Sequence, residues 1–302
     1  MANSIGVIEY VTTFKNILDK KYATEMKSYA LTLSNPGITF LNEKTIKVPT
    51  LTVGGFKPHT RGNSFNTGTV NDAYQTFTLG FDRDAEFIID QMDVVETDLV
   101  TSIANIQTVF EETQNIPETD AYRFSKIYTD IVDPLKGNKS ASVVTKTASD
   151  VLAWFDDQMA KMDDKGVPAE GRILYCTAEY KKLINRCLTR QLTAKDKVTE
   201  TAIDRLGDVE IVVVPSARMF TAYDFTDGFA PATKAGKIGL ILIHPSAVIA
   251  RDKYSYMKLF TPGSDSRTAD CYIYQIRKYG DIFLLANKYD GIEVGLDTAP
   301  TP

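Results

Sequence analysis

Residue types that often carry out chemistry are scarce in this sequence and stand far apart. The two histidines are His59 and His244, and the three cysteines are Cys176, Cys187 and Cys271. A zinc site needs about four such ligands at compatible spacing, and these five are too scattered to supply one. His244 closes an apolar segment that we interpret as a buried strand, which favours a structural role for it over catalysis.

Short motifs of nucleotide-binding and hydrolytic sites are also missing from the sequence. Gly54-Gly55 is not followed by the Gly-Lys-Ser/Thr of a phosphate-binding loop, no GxGxxG follows a predicted strand, and no GxSxG occurs. The one dense group of carboxylates, in residues 82–98, is the remaining candidate for a metal or glycosidase site. A helix start explains these carboxylates more simply, with Asp93 as its cap and Glu96 three residues later. We therefore predict no catalytic residues, no bound metal and no cofactor.

The overall composition is that of an ordinary globular protein. Of the 302 residues, 43% are hydrophobic and 24% are charged, and 34 basic against 39 acidic side chains give a net charge of −5. This balance argues against a dedicated nucleic-acid-binding protein, which usually has a basic face. No apolar run approaches the roughly 20 residues of a membrane span, and the N-terminus lacks the pattern of a signal peptide. We expect no membrane partner and synthesis in a reducing cytoplasm, which suits the odd and widely spaced cysteines.

A long segment rich in glycine and asparagine lies between two predicted strands. Residues 46–53 (IKVPTLTV) form the first strand, which Pro49 restricts to a sheet edge, and residues 74–81 (YQTFTLGF) form the second. An isolated two-stranded ribbon is only marginally stable, and so long a loop is uncommon inside a compact domain. We therefore predict a protruding hairpin that a neighbouring molecule orders, with a flexible surface loop as the alternative. Its candidate contact residues, besides Pro49, are Gly54, Gly55, Lys57 and Arg61.

The charge changes sign directly after this hairpin. Residues 47–80 have a net charge of 3 − 1 = +2, and residues 82–98 have a net charge of 1 − 7 = −6. The simpler interpretation is a solvated acidic face that includes helix caps. The sharper hypothesis is that the basic hairpin of one subunit lies on the acidic segment of the next. The acidic contact candidates are Asp90, Asp93, Glu96 and Asp98.

The remaining pattern predicts helices followed by an α/β unit and a β-rich tail. The predicted helices cover residues 7–18, 99–114, 120–128, 149–165 and 180–188, and a polar linker covers residues 136–142. The predicted strands of the second half cover residues 172–176, 209–214 and 238–243, with further β structure in residues 270–294. Ser149 is the predicted cap of the fourth helix, and Asp290-Gly291 is a predicted hairpin turn.

Several segments, in this order, resemble the major capsid proteins of tailed bacteriophages with the Hong Kong 97-type fold, and the resemblance covers essentially the whole chain. These segments are KVPT (47–50), DRDAEFIIDQMD (82–93) with ET (96–97), PETDAYR (117–123), VVVPSARM (212–219) and AD (269–270) through RKYGD (277–281). The resemblance looks closest to capsid proteins of phages that infect Gram-positive hosts. It implies an α+β fold and a shell-building subunit that is not an enzyme. Such a subunit is assembled in the host cytoplasm and located in the virion.

The same resemblance implies a division of the chain. The implied parts are an N-terminal arm (1–45), an extended loop (46–81), a peripheral domain with a long spine helix (82–145), an axial domain (146–245), a second peripheral segment (246–280) and C-terminal strands that return to the axial domain (281–302). The turn with Pro262, Gly263 and Asp265 lies where the family has its three-fold contacts. About 45 residues before the extended loop are too few for a fused scaffolding domain. We therefore expect a separate scaffolding protein as a partner, with a chain that has already been trimmed as the alternative.

Copies of the chain itself are the main implied partners, as pentamers and hexamers of an icosahedral or prolate shell. A portal and decoration proteins are further implied partners, and the shell encloses double-stranded DNA without sequence-specific binding. Two other functions stay open at this point. One is the shell protein of an encapsulin-like bacterial nanocompartment, which shares the fold and differs in cargo, and the other is an α/β enzyme with an acidic metal site.

Some relatives join the extended loop to a neighbouring subunit through a lysine–asparagine isopeptide bond. Lys57 is the only lysine in the glycine-rich part of the loop, whereas residues 261–272, around the three-fold turn, contain no asparagine. We therefore predict that subunits are held to one another by non-covalent contacts alone.

Overall fold

The computed structural model describes residues 26–33, 45–59, 66–90, 107–187, 204–264 and 270–301. The helix predicted at residues 7–18 lies outside these ranges, as do residues 99–106 of the helix predicted at 99–114. Within the described ranges, no helix is both long and apolar enough to cross a membrane.

Helices and strands alternate irregularly along the described chain. The α-helices are α1 (Ala30–Leu33), α2 (Ile116–Val132), α3 (Ala148–Asp164) and α4 (Ala178–Arg186). The strands of the first half are β1 (Thr45–Val53), β2 (Val70–Thr78), β3 (Phe81–Asp90), β4 (Ser142–Val143) and β5 (Ile173–Thr177). The later strands are β6 (Arg205–Leu206), β7 (Val209–Val214), β8 (Tyr223–Asp224), β9 (Ala230–Pro231), β10 (Lys237–Ile243), β11 (Val248–Phe260), β12 (Cys271–Leu284) and β13 (Ile292–Thr298).

A six-stranded mixed sheet in the order β4-β13-β10-β5-β7-β6 separates two hydrophobic cores. Strand β5 is buried along its whole length because its alternate side chains enter different cores. Ile173 and Tyr175 enter the core beneath α2, where Phe124 lies 5.1 Å from Tyr175 between ring centroids. Leu174 and Cys176 enter the core that α3 and α4 cover. The strands predicted at residues 172–176, 209–214 and 238–243 are confirmed as β5, β7 and β10.

One continuous helical run replaces the two helices predicted at residues 99–114 and 120–128. Residues 107–110 are α-helical, Glu111–Asn115 form a π-helical segment, and α2 follows without interruption. Pro117 suggests a break in the sequence, but the run continues through it, directly after the π-helical segment in which the Ile116 N–H bonds to the Glu111 carbonyl five residues back. The prediction of two separate helices was therefore wrong.

A second sheet has three antiparallel strands in the order β11-β12-β3. The hairpin turn predicted at Asp290-Gly291 was wrong, because Ala286–Gly291 form a 3-10 segment that carries the chain from this sheet to the six-stranded one. There β13 pairs with β10, and Ile292, Val294 and Leu296 enter the core beneath α2. Burial of these three side chains explains why β13 pairs with β10 in the six-stranded sheet and does not form a hairpin with β12.

Helix α3 starts at a different cap from the one predicted. Thr147 is the N-cap, and its Oγ1 accepts a hydrogen bond from the backbone N–H of Asp150 at 3.1 Å. Ser149, the predicted cap, lies inside the first turn. Both residue types are good caps and stand two positions apart, so only the backbone geometry distinguishes them. At the other end, Gly166 adopts a φ of +72° directly after Lys165 and ends the helix as predicted.

Candidate subunit-contact surfaces

Strands β1 and β2 form the hairpin that the sequence predicts. They pair antiparallel in a continuous register from Thr45 opposite Thr78 to Val53 opposite Val70. The two strands form a sheet of their own, so Pro49 lies on an edge strand as expected. Nine residues of extended chain measure about 30 Å, which makes the hairpin a long projection.

The outer half of this hairpin is covered by solvent in the single chain. Every residue from Leu51 to His59 and from Asn66 to Tyr74 is exposed. Five of the exposed side chains are large and apolar: Leu51, Val53, Phe56, Val70 and Tyr74. Phe56 is fully exposed, and the other four keep between 63% and 70% of their surface in water. So dense a group of apolar side chains on one projection is typical of a contact surface.

Contacts between the two sides hold residues 54–57 against residues 67–69 below the tip of the hairpin. The backbone N–H of Gly54 donates to the Thr69 carbonyl at 2.8 Å, and a Cβ at position 54 would lie only 2.7 Å from Thr69 Oγ1. Lys57 Nζ donates to the Thr67 carbonyl at 3.3 Å. A side chain at position 54 would therefore force the Thr69 hydroxyl to move, whereas a Cβ at Gly55 would meet no atom within 4 Å.

The base of the hairpin is anchored on the rest of the molecule. Ile46 and Leu79 are buried with Phe283 in a small core of their own. The Asp281 carboxylate accepts hydrogen bonds from the Gly80 backbone N–H at 2.8 Å and from the Tyr122 hydroxyl at 2.7 Å. Sequence reasoning missed this anchor because its two halves lie about 200 residues apart. The hairpin is thus fixed at its base and exposed beyond it.

The acidic segment after the hairpin is a strand, not the start of a helix, as far as residue 90. Strand β3 pairs with β12 on one side and forms the edge of its sheet. Its alternate residues are exposed: Asp82, Asp84, Glu86, Ile88 and Asp90. The intervening residues face inward, and Arg83 donates to Glu118 Oε1 at 2.6 Å. The period of two places the carboxylates of residues 82–90 on one solvent face, so they do not start a helix, and the predicted cap at Asp93 and Glu96 lies outside the described residues.

Part of this acidic face is already neutralised within the chain. Arg277, on β12, donates to both carboxylate oxygens of Asp82, at 2.9 and 2.6 Å. Hydrogen bonds from Arg277 to Asp82 and the charge of that carboxylate raise the pKa of Arg277. Gln275 also donates to Glu86. Asp90, one of the predicted contact residues, is exposed at the far end of this row.

The predicted turn at Pro262 and Gly263 joins β11 to β12 at the end of a long hairpin. Gly263 adopts a φ of +74°, a conformation that favours glycine, and the Ser264 N–H donates to the Thr261 carbonyl at 3.0 Å. The remaining candidate contacts lie outside the described residues: Arg61, Asp93, Glu96, Asp98 and Asp265.

Residues with catalytic potential have structural surroundings where the structure describes them. His244 caps a short 3-10 turn, with Nδ1 2.8 Å from Ser246 Oγ, and burial lowers the pKa of its ring. Burial raises the pKa of the Cys176 thiol to about 12, which makes it a poor nucleophile. The described ranges contain no cluster of three or more metal-ligating side chains.

Comparison with known proteins gives matches among solved structures. No protein-family model and no curated protein sequence matches this chain. The match to the mature capsid of bacteriophage PhiM1 covers 84% of this chain and 82% of the capsid chain, with a TM-score of 0.60 and 10% identity. The match to the capsid of cyanophage P-SCSP1u covers 85% of this chain and 84% of that one, with a TM-score of 0.58 and 13% identity. The match to the capsid of Myoviridae phage XM1 covers 88% of this chain and 90% of that one, with a TM-score of 0.53 and 11% identity.

The fold is the Hong Kong 97-type capsid fold. The fold class predicted from the sequence is thereby confirmed. Because the identities are 10 to 13%, the likeness to other Hong Kong 97-type proteins establishes the fold and leaves the function to be argued from the surfaces described above.

Proposed function

We propose that this protein is the major capsid protein of a tailed bacteriophage and forms the icosahedral or prolate shell that encloses the phage genome. The observation that carries the proposal is the extent of the structural likeness. Each of the three phage capsid structures compared above matches at least 84% of this chain and at least 82% of its own. A likeness over nearly all of both chains supports a shared architecture rather than a shared module.

The projecting β1–β2 hairpin is an independent reason to propose assembly. A two-stranded ribbon is marginally stable alone, and this one leaves five large apolar side chains in water. Burying one such side chain contributes about 1.5–3 kcal/mol, so covering the hairpin with a neighbouring copy would stabilise both. A shell gives every hairpin a neighbour, whereas a monomer gives it none.

Charge supports the same arrangement. Lys57 lies on the exposed tip, and the solvent face of β3 carries an acidic row that ends at Asp90. We propose that the tip of one subunit approaches this row, and the acidic residues beyond it, on the next subunit. Exposed charge pairs contribute about 0–1 kcal/mol each, so they would guide register more than they add stability.

Further partners and locations belong to the same proposal. The protein would reside in the virion after assembly in the host cytoplasm. A separate scaffolding protein, a portal and decoration proteins would assist, and the shell would hold double-stranded DNA. We propose no enzymatic activity. On the sequence segments alone, we propose a phage of a Gram-positive host.

The domain division is proposed with the function. We assign residues 46–81 to the extended loop and residues 146–245 to the axial domain. The pairing of β13 with β10 supports grouping residues 281–302 with that domain. The packing of β3 against β12 supports grouping residues 82–145 with residues 246–280 in the peripheral domain.

Electron microscopy of the expressed full chain, with sedimentation over a range of concentrations, tests the proposal. We expect pentamers, hexamers or closed shells. A strictly monomeric species, with residues 54–72 resistant to protease, would contradict the proposal. Closed shells that package a host enzyme would indicate a nanocompartment instead of a phage head.

A further inference from the structure

Beneath the surface, a lysine contacts an asparagine from a distant part of the chain, and that asparagine contacts a glutamate four residues before it. Lys278, on β12, donates from Nζ to Asn115 Oδ1, and Asn115 donates from Nδ2 to Glu111 Oε2 at 2.6 Å. Glu111 and Asn115 stand four residues apart in the π-helical segment, so they share one face of it. Glu111 is 4% exposed and Asn115 is 8% exposed. The three functional groups therefore form a chain of contacts with little access to water.

We propose that Lys278 and Asn115 form an isopeptide bond within one subunit, with Glu111 carrying the proton. Both partners belong to the same chain, so this bond differs from the link between loop and neighbouring subunit considered above. It does not depend on the proposed function. It would join the three-stranded sheet to the helical run, across 163 residues of sequence.

The reaction balances without any co-reactant. Neutral Nζ of Lys278 attacks Cγ of Asn115, the carbon bonded to the oxygen that Nζ already contacts. A new C–N bond forms, and the attacking nitrogen passes a proton to the Glu111 carboxylate. Glu111 gives that proton to Nδ2, which it already contacts, and the bond from Cγ to Nδ2 breaks. The products are one amide and one molecule of ammonia, and nothing is oxidised or reduced.

The surroundings of Lys278 favour the neutral amine that this reaction needs. The residue as a whole is half-buried, but its amino group is enclosed, and this burial lowers its pKa to about 8. The charge of Arg123 also lowers this pKa, whereas the charges of Glu118, Asp252 and Glu111 raise it. A pKa of about 8 leaves roughly a tenth of the amine neutral at pH 7, and more at higher pH.

Two further features hold the groups in place and give the product an exit. Thr119 Oγ1 accepts a hydrogen bond from Lys278 Nζ at 2.9 Å and donates one to the Asn115 carbonyl at 2.8 Å. A cavity of about 300 Å³ is lined by Glu111, Asn115 and Lys278 and can receive the released ammonia. A π-helical turn of this kind is frequent at functional sites.

Mass spectrometry of the full chain, denatured and reduced, tests the proposal directly. We expect the intact protein to be lighter than its sequence by one ammonia, to an extent that grows with time at a pH above the pKa of Lys278. Proteolysis should release a branched peptide in which the Lys278 side chain is joined to the Asn115 side chain. An intact mass equal to the sequence mass after that incubation would overturn the proposal.

Variants separate this bond from other ways of losing ammonia. Lys278→Arg and Lys278→Met should both abolish the loss, and Lys182→Arg, at an exposed lysine, should leave it unchanged. Loss of ammonia that persists in a Lys278 variant would point to a cyclic imide at an asparagine and would overturn the proposal. Glu111→Gln should slow bond formation about 100-fold or more, and an unchanged rate would overturn the role of Glu111. The branched peptide of the unmodified chain decides the question even where a variant fails to fold.

Discussion

Replacing Phe56 by serine asks whether the hairpin tip is buried between subunits. The Phe56 side chain is fully exposed in the single chain, so it contributes no packing to the fold of one subunit. The free energy of unfolding of the unassembled Phe56→Ser variant should therefore stay within about 0.5 kcal/mol of the parent value. Any larger effect of the change must come from contacts with another molecule.

The expected effect on assembly follows from the burial of one phenylalanine ring. Burying such a side chain contributes about 1.5–3 kcal/mol, which corresponds to roughly a 10- to 150-fold change in an equilibrium constant. Each subunit has one hairpin tip. The concentration at which assembly begins should therefore rise by about that factor in the variant.

Light scattering over a range of protein concentrations measures this threshold, and electron microscopy identifies the particles. Leu135→Ser is the matched control, because Leu135 is 93% exposed and lies outside the hairpin, in the turn after α2. That control should assemble at the parent concentration. An unchanged threshold for Phe56→Ser, or a clearly lower unfolding temperature of its monomer, would refute the reasoning.

Three further predictions concern charge, folding and covalent links between subunits. Reversing Lys57 and Arg61 to glutamate should impair assembly in low salt, and adding Asp90→Lys should partly restore it; unchanged yields in light scattering would contradict the proposed register. Asp120→Ala should lower the free energy of unfolding by about 3–5 kcal/mol in urea titrations. The reason is that the buried Asp120 carboxylate accepts hydrogen bonds from two backbone N–H groups and pairs with Arg218 at 3.0 Å. Asp164→Ala, at an exposed aspartate, should change the free energy of unfolding little. Particles boiled in detergent with reductant should run as a single 33.5 kDa band, and a ladder of multimers would show covalent links between subunits.

Local patterns in the sequence were sufficient for much of the fold. The hairpin followed from alternation around Pro49 and from the glycines beyond it, and β5 and β10 followed from their continuous apolar runs. These features depend on neighbours a few residues away. Period and composition therefore carry enough information to predict them.

Errors arose where a distant partner decides the structure. The carboxylates of β3 alternate with inward residues, a period of two that was present in the sequence, but their number suggested a helix start. Pairing of β3 with β12 and the contact of Asp82 with Arg277 involve residues almost 200 positions away. Likewise, β13 follows the Asp290-Gly291 segment and pairs with β10, and no local sequence pattern predicts this pairing.

The contact surfaces were only partly accessible from sequence. The exposure of Phe56 could be expected from its place in a glycine-rich loop, whereas the anchoring role of Asp281 could not. The contact of Lys278 with Asn115 had no signal beyond the four-residue spacing of Glu111 and Asn115. Only the folded chain shows that Lys278, on β12, lies against Asn115.

Cryo-electron microscopy of the particles formed by the full chain is the most direct test of the proposed function. We predict closed shells in which the β1–β2 hairpin of each subunit lies on a neighbouring subunit and Phe56 is buried in that contact. A protein that stays monomeric, or particles in which the hairpin projects into solvent, would contradict this assignment.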